Sequence, residues 1–372
     1  MRIAVVSNTC WYLFNFRLNL MRALQAAGHT VVAVAPDDAY ARRIRDAGIA
    51  FEAVPISGGG THPVRELQSV LRLGAVFRRH RVGLVLSYTP KGNLYSALAC
   101  IALRIAFVPN VSGLGRAFIR KSLVTRVAKM LYRLTFGRAH RVFFQNLDDM
   151  AVFVDGGLVR AGQAERLPGS GVDLSRFSPT PFVARPADAP VFLLVARMLW
   201  DKGVGEYVEA ARRVHTLHPG ARFQLLGFLD VDNPSAISRQ QMDEWVAEGV
   251  VEYLGRTDEV RPFLAQADCV VLPSYREGVP RTLLEAAATA RPVITTDAPG
   301  CRDTVVDGET GFLCRPADAA DLADKVLRFV ALAPEARQAM GLRGRAFVEQ
   351  NFDERLVIGR YLAVVGDVAA SR

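Results

Sequence analysis

The chain has 372 residues, enough for two domains with a core each, and 50% of them are hydrophobic against 22% charged, with 30 Gly and 19 Pro spread along it; collagen-like, disordered and disulfide-scaffold classes are thereby excluded. The net charge of +9 is lopsided, since residues 1–173 hold 23 Lys and Arg against 10 Asp and Glu, a balance of +13, while the remainder holds 23 against 27, or −4. The first half is therefore suited to an anionic partner.

The opening run, Met1-Arg2-Ile3-Ala4-Val5-Val6-Ser7, is β-branched and lacks the charged segment and cleavage site of a secretory leader, so a cytoplasmic location is expected. Similar runs recur at residues 3–7, 30–35, 51–55, 83–87, 106–111 and 141–145, and again at 191–196, 222–226, 250–254, 269–273 and 292–295. Helical patterns fill the gaps. Such alternation predicts two doubly wound α/β sheets of parallel strands, one in residues 1–173 and one in residues 191–352. Residues 174–190, with Pro179, Pro181, Pro186 and Pro190, read as a linker, and residues 353–372 carry a last helical pattern from 354 to 365. Five cysteines, an odd number with no CxxC spacing, argue against a zinc site or a disulfide framework. The longest charge-free apolar stretch, residues 93–103, falls short of the roughly 20 residues a spanning helix needs.

Between residues 116 and 141 stand eight basic residues and no acidic one: Arg116, Arg120, Lys121, Arg126, Lys129, Arg133, Arg138 and Arg141. Apolar residues from Phe118 to Phe136 interleave with them at mostly helical spacing. A basic amphipathic helix meets an anionic membrane surface because its cations find headgroups while its apolar face enters the acyl boundary. Arg120, Lys121, Arg126 and Lys129 are the candidate contacts, and a core helix with a solvated basic back is the bland alternative.

Ligands on open α/β sheets bind beyond the carboxyl ends of the strands, so the loops after each strand should carry the chemistry, in a cleft between the two domains. After the run at 191–196 come Arg197 and Lys202, cations flanking a strand-to-helix turn and able to neutralise a departing diphosphate. Leu254-Gly255-Arg256 ends another strand of that sheet, and Gly255 would let a flat base approach the backbone. The sharpest constellation follows residue 273: Glu277, then Gly278, Val279, Pro280, Arg281, Thr282 and Leu283 at a helix start, then Glu285 inside the helix. Pro280 suits the first helical position, and open N–H groups near Thr282 and Leu283 make a phosphate site. The two carboxylates can accept hydroxyls at opposite ends of one ligand, such as a hexose and a ribose.

Taken together, these marks resemble the family 4 glycosyltransferases over nearly the whole chain. Further matches are Arg17 in the first helix, Ala27-Gly28-His29, Ser170-Gly171-Val172-Asp173 with Phe177 and Pro179, and Lys202-Gly203. Tyr88-Thr89-Pro90-Lys91-Gly92-Asn93 and Val111-Ser112-Gly113-Leu114-Gly115 look most like the bacterial enzymes of capsule, O-antigen and exopolysaccharide assembly. The resemblance implies the GT-B fold, two facing Rossmann-like domains with a last helix crossing back to the first. It implies a nucleotide-sugar donor, UDP rather than GDP, and transfer with retention of configuration without metal or cofactor. It also implies that Arg197 and Lys202 hold the diphosphate, Glu277 the donor sugar and Glu285 the ribose.

Lys91 and Asn93, at a helix start on the acceptor side, would cradle the diphosphate of a polyprenyl-linked saccharide, placing the protein on the inner face of the cytoplasmic membrane. The chain departs from the family at Asn8-Thr9-Cys10-Trp11-Tyr12, where many members have a glycine-rich loop, and at Val111-Ser112-Gly113, where many carry a histidine. No catalytic histidine is assigned, with His62 left open. A sugar-nucleotide 2-epimerase of the same fold is the alternative enzyme. A nucleic-acid-binding protein is disfavoured by the few aromatics in the basic segment and the lack of a recognisable motif.

Overall fold

The structure, a computed structural model, describes residues 1–57, 62–114, 123–183, 185–186 and 188–371. Its contacts divide the chain into a first unit, Met1–Ser170 with Arg355–Arg372, and a second unit, Gly171–Glu354.

In the first unit seven strands, β1 (Arg2–Val6), β2 (Thr30–Ala35), β3 (Ala50–Ala53), β4 (Leu84–Tyr88), β5 (Ala106–Val111), β6 (Val142–Phe144) and β7 (Ala164–Arg166), form one parallel sheet in the order β3-β2-β1-β4-β5-β6-β7. Its central strands are apolar at successive positions because helices cover both faces. Within β1 the period of two is plain: Ala4 and Val6 join the core under helices Pro63–Arg79, Pro90–Leu103 and Leu123–Phe136, whereas Ile3 and Val5 join the core under helices Cys10–Ala26, Ala41–Asp46 and Glu354–Ala370. The last helix belongs to the first unit through Val357, Tyr361, Val364, Val365 and Val368, and the buried Tyr361 hydroxyl accepts a hydrogen bond from Asn110 Nδ2 at 3.0 Å.

The second unit has six parallel strands, β8 (Val191–Val195), β9 (Arg222–Leu226), β10 (Glu252–Tyr253), β11 (Cys269–Leu272), β12 (Val293–Thr296) and β13 (Gly311–Cys314), in the order β10-β9-β8-β11-β12-β13. Strand β7 is an addition to the sequence reading because two of its three residues are charged, and β13 because it opens on glycine. That glycine is needed: a Cβ at Gly311 would stand 1.9 Å from the Val293 carbonyl of β12.

Within the linker, Thr180 and Pro181 are bonded to the second unit. Arg291, fully buried, donates to the carbonyls of Thr180 and Pro181 at 2.9 Å and to those of Leu264 and Ala265 at 3.0 Å, so one guanidinium fixes this segment to the second sheet's packing.

The two ends of the second unit's chain run side by side. Val172 N–H donates to the Phe352 carbonyl at 2.8 Å and Glu354 N–H to the Val172 carbonyl at 3.1 Å. Gly171 permits this, with φ +70° and only 2.4 Å between an ideal Cβ and the Glu354 Cα. Gly171→Ala should therefore lower unfolding stability by about 1–3 kcal/mol, as a left-handed non-glycine residue does, measured by urea titration; an unchanged midpoint would show that this crossing tolerates a side chain.

Candidate active site

In the second sheet the strand order reverses between the neighbours β8 and β11, and the loops after these two strands flank the crevice where such sheets bind ligands. Lys202 ends the turn Trp200–Lys202 that follows β8, and Glu277 lies in the loop after β11. Gly203, at φ +72°, lets the first loop lie on the second: a Cβ there would stand 2.1 Å from the Pro273 carbonyl. The Asp201 carbonyl then accepts from Tyr275 N–H at 3.0 Å and from Ser274 Oγ at 3.1 Å. This packing brings the Lys202 ammonium onto the Glu277 carboxylate as an ion pair, the side chains being 19% and 14% exposed. Each is withdrawn enough to be oriented and open enough to meet a ligand.

The loop after β12 completes the arrangement and was not legible as part of a site. Glu277 N–H donates to the Pro299 carbonyl at 3.0 Å, and Thr296 Oγ1 donates to the Ser274 carbonyl. Gly300, at φ +77°, fits where a Cβ would stand 2.2 Å from the Gly278 carbonyl and 2.4 Å from that of Glu277. The only sequence signal was the turn-forming Pro299-Gly300 pair just past a strand.

Helix Arg281–Ala288 starts one residue later than expected, since Pro280 is its N-cap (φ −72°, ψ 108°) and not its first residue. The expected open N–H of Leu283 is also spent, donating to the Pro280 carbonyl at 3.0 Å. Gly278, Val279 and Pro280 are buried and Thr282 is half-buried. Inside the helix Glu285 pairs with Arg281 at 2.9 Å, each 15% exposed, so Arg281 is the orienting partner of that carboxylate. Arg197 is exposed, and its side chain has no hydrogen bond or ion pair among the described residues. Gly255, at φ +74°, faces open space with no heavy atom within 4 Å of an ideal Cβ, and the exposed Arg256 lies 5.7 Å from the Phe228 ring.

The first sheet reverses between β1 and β4, and Lys91 sits just after β4. Its ammonium is 2.7 Å from Glu66 Oε1, and the Tyr95 hydroxyl also bonds to Glu66, a carboxylate the sequence reading did not single out. Asn93 is 1% exposed and donates through Nδ2 to the Asn110 carbonyl at 2.8 Å, and it edges a small pocket with Thr89, Ser112 and Gly113. A helix-start asparagine is drawn inward here because the helix packs directly over β5. His62, exposed at the N-cap of helix Pro63–Arg79, edges a cavity of about 480 Å³ that Arg65, Glu66 and Arg72 also line. Arg126 and Lys129 are exposed on helix Leu123–Phe136, whereas Arg120 and Lys121 lie outside the described residues. Among the described residues no helix is long and apolar enough to cross a membrane.

Burial raises the pKa of Glu285 above its ordinary 4.5, with Arg281 pulling the other way. If its carboxylate holds a ribose hydroxyl, nucleotide affinity will fall as pH drops through a midpoint above 4.5, since protonation removes the acceptor charge. Calorimetric titration with nucleotide across pH checks this, and Glu285→Gln should bind more weakly with that acid limb flattened. An unaltered limb in the variant would assign it to another group.

Comparison with known proteins agrees with this fold. A model described as glycosyl transferases group 1 matches residues 189–331, and one described as a glycosyl transferase 4-like domain matches residues 16–170. The chain is 28% identical to the N,N'-diacetylbacillosaminyl-diphospho-undecaprenol alpha-1,3-N-acetylgalactosaminyltransferase of Campylobacter jejuni, over 97% of both proteins. It is 24% identical to the capsular polysaccharide biosynthesis glycosyltransferase CapM of Staphylococcus aureus, over 78% of both. Among solved structures, sucrose-phosphate synthase of Thermosynechococcus elongatus matches with TM-score 0.81 at 21% identity over 100% of both chains. HepE of Anabaena, in complex with UDP-glucose, matches with TM-score 0.78 at 18% identity over 100% of this chain and 99% of that one. These two likenesses concern the fold, whereas the family models span most of both units. The chain belongs to the family 4 glycosyltransferases and has the GT-B fold.

Proposed function

We propose that this glycosyltransferase moves a hexose or N-acetylhexosamine from a UDP-sugar to a saccharide carried on polyprenyl diphosphate, with retention of configuration and without metal, at the inner face of the cytoplasmic membrane. The observation that carries the donor half is the Lys202–Glu277 pair at the strand-order reversal. The acceptor class follows from the whole-length similarity to a transferase whose name specifies a diphospho-undecaprenol acceptor.

Each residue has a task in this reading. Glu277 accepts hydrogen bonds from donor-sugar hydroxyls and orients the reacting carbon. Lys202, displaced from Glu277 as the donor enters, turns with Arg197 to the diphosphate and stabilises the charge that grows as the bond to the sugar breaks. Glu285 takes the ribose, and the open backbone at Gly255, with Arg256 beside it, takes the base. In the first unit Lys91, poised by Glu66, meets the acceptor's diphosphate. Arg126 and Lys129, with Arg120 and Lys121, meet anionic headgroups.

Incubation with labelled UDP- and GDP-sugars and a membrane lipid extract tests the proposal; label from a UDP-sugar should enter the organic phase. Glu277→Gln and Lys202→Ala should each slow turnover about 100- to 1000-fold with the fold intact, the usual effect of losing one preorganised charged contact. Wild-type turnover in either variant would sink the site assignment. Because side-chain cations serve the diphosphate in this reading, activity should persist in EDTA; loss in the chelator with recovery on adding manganese would replace that part of the mechanism.

A further inference from the structure

Two helices on the same side of the first sheet each expose a row of large apolar side chains. On helix Pro63–Arg79 these are Val64, Leu67 and Leu71, exposed by 58%, 59% and 60%; on helix Leu123–Phe136 they are Val127, Met130 and Leu134, exposed by 51%, 56% and 58%. Both rows have i, i+3, i+7 spacing, which gathers three side chains into a narrow stripe. Neither stripe belongs to the core, because the inward faces are separately filled, by Leu73, Val76 and Phe77 in one helix and by Tyr132 and Phe136 in the other.

The charge around the first stripe is one-sided. Arg65, Arg72 and Arg78 stand on helix Pro63–Arg79 with no side-chain hydrogen bond or ion pair among the described residues. The helix's one acid, Glu66, is held by Lys91. Arg65 and Arg72 each follow a stripe residue, so they flank the apolar row about 100° round the helix. Exposed leucines bordered by uncompensated cations match the boundary of an anionic bilayer, where apolar side chains and phosphate headgroups lie within one side-chain length of each other. Helix Leu123–Phe136, which like helix Pro63–Arg79 packs against helix Pro90–Leu103, carries the exposed Arg126 and Lys129 next to its own apolar row.

We propose that helix Pro63–Arg79 is a second membrane-contacting element, its Val64-Leu67-Leu71 stripe entering the acyl boundary beside the basic helix Leu123–Phe136. The inference rests on the membrane reading above and adds to it a salt-insensitive apolar anchor. Coulombic attraction to headgroups is screened by salt, whereas buried apolar area is not. The two contributions therefore separate by ionic strength.

The test is co-sedimentation of the full chain with vesicles of phosphatidylcholine and phosphatidylglycerol, in low salt and in about 1 M salt, where screening is nearly complete. The parent should retain a salt-resistant fraction. Leu67→Gln with Leu71→Gln should weaken that fraction about tenfold or more while leaving the thermal midpoint and donor-nucleotide affinity unchanged. Arg126→Gln with Lys129→Gln should lose chiefly the low-salt part. A tryptophan at position 67, introduced as Leu67→Trp, should shift its emission to the blue when vesicles are added.

If the leucine variant binds like the parent in high salt, or the tryptophan emission does not move, the second anchor is wrong and the basic helix stands alone. If neither parent nor variants bind vesicles, the membrane reading falls with it. Should analytical ultracentrifugation show a dimer that the leucine variant dissolves, with vesicle binding unaltered, the stripe covers a second copy instead.

Discussion

The candidate site of the second unit depends on a backbone approach that only glycine permits. At Gly203 the turn after β8 lies within van der Waals range of the Pro273 carbonyl at the end of β11, and this seating delivers Lys202 to Glu277. The pair solves an electrostatic difficulty as well as a geometric one. A mostly buried ammonium or carboxylate alone would carry a desolvation cost, which each partner offsets for the other while no ligand is present. A donor with an anionic diphosphate and a hydroxylated sugar offers both groups replacement partners, so the pair can part without leaving either charge uncompensated. The loop after β12 holds Glu277 from the other side through the Pro299 carbonyl, so the carboxylate is placed by strand ends and not by a long flexible loop.

The first unit meets the same topological rule with different chemistry. Beyond β1 and β4 lies Arg17, 1% exposed, its guanidinium 4.3 Å from the Tyr88 ring centroid and 5.5 Å from that of Tyr12. It donates to the Tyr12 hydroxyl at 3.0 Å. Burial raises the pKa of Tyr88 and Tyr361, so these hydroxyls stay neutral and the guanidinium charge is not cancelled by them. Aromatic faces hold a cation without neutralising it. Positive potential is thus retained beneath the segment that presents Lys91, the edge where the reading above brings an anionic acceptor.

What could be read from the sequence, and what could not, follows from the range of the interactions involved. Strands such as 30–35 and 191–195 announced themselves because burial on both faces demands continuous apolar runs, and they sit where those runs lie. Strand β7 failed that signal because it is short and charged, and β13 because its glycine answers a neighbour distant in the chain. In the site, Lys202, Glu277 and Glu285 stood out by residue type and position after a strand. The roles of Gly300 and Glu66 depend on partners in separate segments, and no local pattern encodes such pairings. Asn93 was legible as a polar residue at a helix start, but its bond to a backbone carbonyl of the next strand was not, since that partner lies in a separate segment.

Charge distribution within the units matters more than the two totals. In the second unit many cations face acids at close range, as in Arg212 with Glu248 at 2.8 Å, Arg222 with Glu252 at 2.7 Å, and Arg261 hydrogen-bonded to Glu259, whose pKa it holds down to about 2. Such pairs contribute little to stability at an exposed surface, but they cancel each other's field at a distance. In the first unit the acids are fewer and several are already engaged: Glu52 with Arg79 and His80, Glu66 with Lys91, Glu165 with Arg141. The excess therefore falls to arginines on outward helix faces, among them Arg65, Arg72, Arg78 and Arg126, next to the exposed apolar stripes. Under the membrane proposal, a field so concentrated would orient the molecule toward an anionic surface before any apolar contact formed, and the stripes would then hold what the field had brought near.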